Sequence, residues 1–292
     1  MVISRIIGGL GNQMFQYAAG RALSLRLNRE LTLDVSAFDN YSLHQGFELS
    51  RVFAMSQDFA SDQDLRSVLG WQRSALLRSV LARRPLAALK SQRFVTEPHF
   101  HYWADFDKLD DNVYLSGYWQ SEKYFNSVLS QIREDFSFRL QLKGENMALA
   151  DRLRETQAIS LHVRRGDYAS NPQNTSTHGL CSLDYYSAAI ARIACYIEKP
   201  EFFIFSDDID WVKANLLLNY PHHFVANNQG SASHIDMRLM SLCRHHVIAN
   251  SSFSWWGAWL NSSADKLVIA PRQWFTGSAD VSDLFPNNWV LL

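Results

Sequence analysis

The sequence predicts an α/β protein built on doubly wound parallel sheets. Short β-branched runs alternate with helical segments along most of its 292 residues. A glycine-rich turn follows the first strand directly, and polar or glycine-rich clusters follow three later strands. Ligands of such sheets bind at the carboxyl ends of strands. Chemistry is therefore expected at Gly8–Gln13, Arg164–Tyr168, Ser206–Asp208 and Asn250–Ser254. At about 150 residues per domain the length fits two such units. The expected domains are 1–150 and 151–292, joined near Leu140–Asp151.

The elements follow in order. Val2–Ile7 is a strand, Met14–Leu27 a helix with Phe15, Ala18, Ala22 and Leu25 on one face, and Glu30–Val35 a second strand. Ser50 to about Gln92 has a helical pattern. In the second half, strands are expected at Ile159–Val163, Glu201–Phe205, His223–Ala226, Val247–Ala249 and Leu267–Ala270. Helices are expected between them at Asp184–Ile197, Asp210–Leu217, Ile235–Cys243 and Trp255–Leu260.

Composition narrows the function. The chain is 47% hydrophobic and 20% charged, which suits a sizeable core and excludes disorder. Its 28 Lys and Arg balance 29 Asp and Glu, with 17 basic against 16 acidic residues before position 150 and 11 against 13 after it. Neither half has the positive excess of a sequence-independent nucleic-acid binder, so no nucleic-acid partner is expected. Cys181, Cys195 and Cys243 form no C-x-x-C pair, which argues against a disulfide framework and a cysteine zinc site. Without a signal-like start or an apolar run near 18 residues, a cytoplasmic location is expected. One local bias stands out. No acidic residue lies between Leu65 and Thr96, while Arg66, Arg73, Arg78, Arg83, Arg84, Lys90 and Arg93 are interleaved with Trp71, Leu76, Leu77, Val80 and Leu81. The segment reads either as a solvated helical face or as a peripheral contact with anionic lipid.

Four motifs carry chemistry. The loop GGLGNQ at 8–13 superficially resembles a dinucleotide fingerprint, but Met14 occupies the place of its third glycine, which disfavours a nicotinamide-dependent oxidoreductase. The backbone N–H groups around Gly9 and Gly11, with the Asn12 and Gln13 amides, suit a phosphate or a sugar hydroxyl. In His162-Val-Arg164-Arg165-Gly-Asp167-Tyr168, two arginines at a strand end suit a diphosphate, because a guanidinium stays charged and donates in a fork. Ser206-Asp207-Asp208 offers carboxylates to a ribose, a guanine edge or a metal, or caps the next helix; a plain Asp-Asp pair disfavours the metal. Finally, Ser251, Ser252, Phe253 and Ser254 begin a helix, where hydroxyls and N–H groups favour an anion. Of the adjacent Trp255 and Trp256, one is expected in the core and the other beside a ligand or interface.

At these sites the sequence resembles the α-1,2-fucosyltransferases of glycosyltransferase family 11, particularly the bacterial type. The resemblance rests on GGLGNQMFQYAAGRAL (8–23), GYWQSEKYF (117–125), HVRRGDY (162–168), FFIFSDDIDWV (202–212) and DMRLMSLCRHHVIANSSFSWWGAWL (236–260). It implies a GT-B-like fold, with two Rossmann-like domains facing a cleft, a GDP-L-fucose donor, inversion at the anomeric carbon and no metal or other cofactor. By the same resemblance His162 and Asp236 lie near the guanosine, Arg164 or Arg165 on the β-phosphate, and Ser251, Ser252, Phe253 and Ser254 along the diphosphate. Asp207 counts with these donor-side groups, as do Gly9, Gly11 and Asn12. Gln13, Trp119 and Gln120, beside Asn12, would meet the acceptor. The catalytic set is Arg164, Arg165 and Asp167, with Asp167 either accepting the proton of the incoming hydroxyl or anchoring an arginine. The implied activity is fucosyl transfer to O2 of a terminal β-galactose in O-antigen or surface polysaccharide synthesis. Its acceptor would be a β-galactoside, plausibly lipid-linked and met at the inner membrane face. A non-catalytic sugar-nucleotide or glycan-binding module is the alternative.

Overall fold

The computed structural model describes residues 1–39, 45–74, 76–77, 80, 91–110, 112–166, 176–177 and 179–292. The chain divides into two compact units. One comprises Met1–Arg139 and Asp280–Phe285, the other Leu140–Ala279 and Pro286–Leu292. The division thus falls at Arg139/Leu140, and a short C-terminal segment counts with the first unit.

In the first unit β1 (Val2–Arg5), α1 (Leu10–Leu27) and β2 (Leu31–Asp34) form the expected β-loop-α-β start. The helix begins four residues earlier than expected, because the Gly-Asn-Gln stretch supplies its first turn. It ends on Asn28, whose left-handed backbone (φ 50°) returns its N–H to the carbonyls of Leu25 and Ser24. The strands β3 (Asp58–Phe59), β4 (Phe94–Thr96) and β5 (Val113–Ser116) complete a parallel sheet of order β3-β2-β1-β5-β4. The chain direction of this order reverses between β1 and β5, so their carboxyl ends flank the switch point where ligands of open sheets bind. The helical pattern expected from Ser50 to about Gln92 is interrupted in its described part. Only α2 (Leu49–Val52) and α3 (Asp62–Leu69) are helical before Gly70, with β3 between them. Ser61 starts α3 with a capping box to Asp64, a local signal that overrides the longer periodicity. The helix α4 (Leu129–Asp135) follows β5.

The second unit opens with α5 (Glu145–Glu155) and β6 (Gln157–Val163). Thereafter α6 (Leu183–Ala194), β7 (Pro200–Ser206), α7 (Ile209–Asn215), β8 (His222–Val225), α8 (His234–Leu242), β9 (His245–Val247) and α9 (Ser252–Leu260) alternate, followed by β10 (Val268–Ala270) and β11 (Val290–Leu291). All strands are parallel, in the order β11-β10-β9-β6-β7-β8. Numbered from β6, this is the doubly wound order 3-2-1-4-5-6, with its switch point between β6 and β9. Both faces are covered, so the middle of β7 reads as a non-alternating apolar run, Phe202, Phe203, Ile204 and Phe205, all fully buried. Ile159, Leu161 and Val163 of β6 pack with Ile190 and Ile193 of α6 in a hydrophobic core cluster of the second unit. Trp255 and Trp256 are both fully buried, so neither has surface open to a ligand. They pack edge to face on one another, and Trp255 also meets Trp289.

Candidate active site

The second unit gathers the charged groups at its switch point. The β6/β7 register pairs His162 with Phe205 and Val163 with Ser206, so Arg164 emerges beside Asp207. Arg164 Nη1 lies 2.7 Å from Asp207 Oδ2, and the backbone N–H of Arg165 donates to Asp207 Oδ1 at 2.8 Å. A Cβ on Gly166 would stand 2.5 Å from that same Oδ2, so the close approach requires glycine. Arg165 takes a different direction. Its guanidinium lies 3.5 Å from the centroid of the Trp211 ring, and its Nε is 3.2 Å from Asp208 Oδ2. Asp208 also caps α7 by accepting the Trp211 N–H, the capping role foreseen for one of the two acids. The turn therefore presents two positive groups, each steered by its own carboxylate. Asp167 lies outside the described residues.

Around this turn stand His162, α9 and Asp236. His162 is buried, its Nδ1 has no partner among the described residues, and its ring centre is 5.9 Å from that of Phe253. Burial lowers its pKa to about 4, aided by Arg164 and opposed by Asp207, so the imidazole is neutral near pH 7. Ser251 is the N-cap residue of α9 without a side-chain cap bond, and the first intrahelical bond runs from Trp255 N–H to Ser251 O. The preceding N–H groups point to the sheet's carboxyl edge, where the helix dipole favours an anion. Ser252 and Phe253 are half-buried there. Ser254 does not share that role: it is buried, and its hydroxyl donates to the carbonyls of Ala249 and Ser251.

Asp236 sits in the first turn of α8, which runs back from the same edge and packs on α9 closely enough that a Cβ at Gly257 would be 3.1 Å from Met240. Burial raises its carboxyl to about 7, against the lowering effect of a 2.7 Å hydrogen bond from Asn228.

A second cluster occupies the switch point of the first unit. Gly9 enters α1 with extended backbone, and Gly11 is buried within its first turn. Gly8 has φ 79°, and a Cβ there would meet the Asn12 amide at 2.9 Å. Gln120, just beyond β5, donates to Asn12 Oδ1 at 2.7 Å, so the two motifs meet as the sheet order requires. Gln13 and Trp119 are corrected. Gln13 is fully buried, its amide donating to the Gly8 and Gly46 carbonyls while its oxygen accepts from the Glu48 N–H. The Trp119 ring is likewise buried, against Phe106 and Tyr124, with φ 54° at its backbone. Neither side chain has surface to offer an acceptor.

Sequence reasoning missed Trp211, Asn228 and Glu97. Glu97 accepts the N–H groups of Tyr118 and Trp119 at 2.7 and 2.9 Å, and burial raises its carboxyl to about 7. Its signal is its place immediately after a strand, but β4 has only three residues, too few for a strand pattern to show.

A doubly wound sheet with paired arginines and a helix start at its switch point suits a phosphate-bearing ligand such as a nucleotide. Comparison with known proteins specifies the class. The chain matches the profile of "Glycosyl transferase family 11" over residues 1–292 and belongs to that family. It is 35% identical to an alpha-1,2-colitosyltransferase of Escherichia coli, over 99% of this chain and 98% of that protein. It is also 35% identical to the E. coli O-antigen biosynthesis glycosyltransferase WbnK, over 99% of each. Among solved structures, NodZ alpha-1,6-fucosyltransferase soaked with GDP-fucose matches with a TM-score of 0.51 at 18% identity, covering 89% of this chain and 91% of that one. That likeness bears on the fold, which is of the GT-B-like kind expected.

Proposed function

We propose that this glycosyltransferase moves L-fucose from GDP-L-fucose to O2 of a terminal β-galactose during O-antigen or surface polysaccharide assembly. The observation that carries the reading is the Arg164-Arg165 turn at the β6/β9 switch point, with the α9 N-terminus beyond β9. Breaking the sugar–diphosphate bond leaves negative charge on GDP while the sugar becomes oxocarbenium-like. Guanidinium and N–H donors held in place before the reaction stabilise that charge without a metal. The neutral His162 and the half-buried Asp236 suit the guanosine, since a carboxylate accepts from both N–H groups on the guanine edge. Gln120, hydrogen-bonded to Asn12, is the remaining acceptor-side group of the first unit, and Asp167 remains the motif's candidate base.

One observation favours a second donor. The 35% identical relative named as a colitosyltransferase points to a sugar that lacks one ring hydroxyl of fucose. GDP release from GDP-L-fucose and from the corresponding colitose nucleotide, with EDTA and with or without Galβ1-3GalNAc, separates the two. Acceptor-dependent release that EDTA leaves intact supports the metal-free transferase. Binding without turnover on any galactoside would leave a binding module, and absence of GDP binding would remove the reading.

A membrane-facing acceptor accords with Trp71 and Leu76, which are 63% and 80% exposed near Arg66 and Arg73. Arg78, Arg83, Arg84 and Lys90 lie outside the described residues, and no described helix is long and apolar enough to cross a membrane. Co-sedimentation with anionic vesicles tests the contact; protein left wholly in the supernatant would refute it.

A further inference from the structure

Asp236 is held by amides, Asn228 and behind it Asn146, that lie outside the motifs shared with the family. Asn228, in the turn between β8 and α8, is 7% exposed. Its Nδ2 donates to Asp236 Oδ1 at 2.7 Å and to Asn146 Oδ1 at 2.9 Å, while its own oxygen accepts from Asn146 Nδ2 at 2.8 Å. Asn227 donates to Asn146 Oδ1 as well, at 3.0 Å. Every polar atom of the Asn228 side chain is engaged, so its amide has one orientation and must present N–H, never oxygen, to the carboxylate. Asn146 lies in the first turn of α5, so the clamp reaches Asp236 from a separate element of the second unit.

We infer that Asn228, held by Asn146, is a positioning residue for nucleotide recognition: it fixes Asp236 as an oriented carboxylate able to accept the guanine N–H groups. The inference rests on the guanosine role proposed above for Asp236. A carboxylate ready to accept two N–H bonds must be ionised and must keep one oxygen turned to the ligand. Asn228 provides both conditions, because a donated hydrogen bond stabilises the charged form and occupies the other oxygen.

Among the described residues no cation acts on the Asp236 carboxyl. The elements packed most extensively on α8 are α5 and α9, and the turn Gly230–Ala232 before it carries no charge. On α5, Arg152 pairs with Glu201 and Arg154 with Asp151, leaving Glu145 and Glu155 as its other charged residues. On α8 itself, Arg238 bonds the Leu140 carbonyl and His234 the Ser231 carbonyl, while α9 carries no titratable side chain. Burial and the Asn228 bond are the influences that act on the carboxyl.

The test is GDP affinity by calorimetry between pH 6 and 8.5, comparing the full-length wild type with Asn228→Ala. Removing the bond takes away the influence that lowers the Asp236 carboxyl, so its protonation midpoint rises above about 7. The variant is then weaker severalfold at pH 6.5, and the difference shrinks as pH rises to 8.5. Asn146→Ala, which frees Asn228 without touching Asp236, shows a smaller shift in the same direction and serves if the first variant is unstable. Affinity lost equally at every pH, or unchanged in both variants, overturns the inference while the nucleotide site stands. Failure of the wild type to bind GDP overturns the proposed function itself.

Discussion

Gly166→Ala tests the arginine turn through geometry, leaving every charged residue in place. The new methyl carbon would stand 2.5 Å from Asp207 Oδ2 and 2.9 Å from its Cγ, distances that real contacts do not reach. Asp207 is short and fixed at both oxygens, so it must retreat by about half an ångström or more and stretch its bonds of 2.7 Å to Arg164 and 2.8 Å to the Arg165 N–H. Charge-assisted bonds contribute about 1.5–3 kcal/mol each when intact. Both side chains of the ion pair are about a quarter exposed, which screens part of that. A net loss of about 1–2 kcal/mol follows, or about 3–8 °C in Tm for a unit of this size. Activity falls further than stability, because misplacing a charge-stabilising group by a fraction of an ångström costs about 10- to 100-fold. The assay is GDP release at saturating acceptor, beside a thermal melt. A variant with wild-type kcat/KM and unchanged Tm would refute the bracing role of Asp207.

Three further outcomes follow from the same geometry. Arg165→Ala lowers kcat/KM for the donor by about 10²–10³, while Trp211→Ala, which removes the surface under the guanidinium and some core packing but no positive charge, costs less in the same assay. Asp236→Asn raises Tm by a few degrees at pH 8 and leaves it little changed at pH 4, while GDP affinity drops. The sign follows from a folded-state carboxyl raised to about 7 from 3.8: its contribution to stability is full below the lower value and is lost as pH rises through the higher. Gly117→Ala drives a methyl group to 2.9 Å from the Trp119 ring and closer still to Glu97. It therefore destabilises the fold more than Gly277→Ala, where a Cβ meets nothing within 4 Å, as paired melts will show.

Much of the second unit was legible because its local and global signals agree. β7 is seven residues long with four consecutive apolar residues, Phe202 to Phe205, at its centre, and each acidic or serine-rich cluster after a strand falls at the carboxyl edge. The meeting of Asn12 with Gln120 was less accessible, since 108 positions separate them and only the crossing from β1 to β5 joins them. β4 and β5 are three and four residues long, too short for alternation to distinguish them from loop. Gln13 and Trp119 show the opposite failure. A polar amide beside a glycine turn and a tryptophan in a shared motif read as ligand contacts, yet burial assigns one to holding a loop and the other to filling a core. Neither hydrogen-bond satisfaction nor interior volume is visible in residue order. Asn228 escaped for the same reason, because its role exists only through Asn146, 82 positions earlier.

The membership of Asp280–Phe285 in the first unit bears on how the protein is synthesised. Asp283 accepts from the Tyr102 N–H, pairs with Lys123 and receives the Ser121 hydroxyl on its carbonyl, all within that unit. The strand that ends the second sheet, β11, emerges only after this segment. Neither unit is therefore complete when the ribosome has made the first 279 residues, and both receive their last pieces within a few residues of each other. A cut at Arg139/Leu140 would strand Asp280–Phe285 on the wrong fragment. Separate expression of each unit calls for grafting that hexapeptide onto the first and bridging Ala279 to Pro286 in the second.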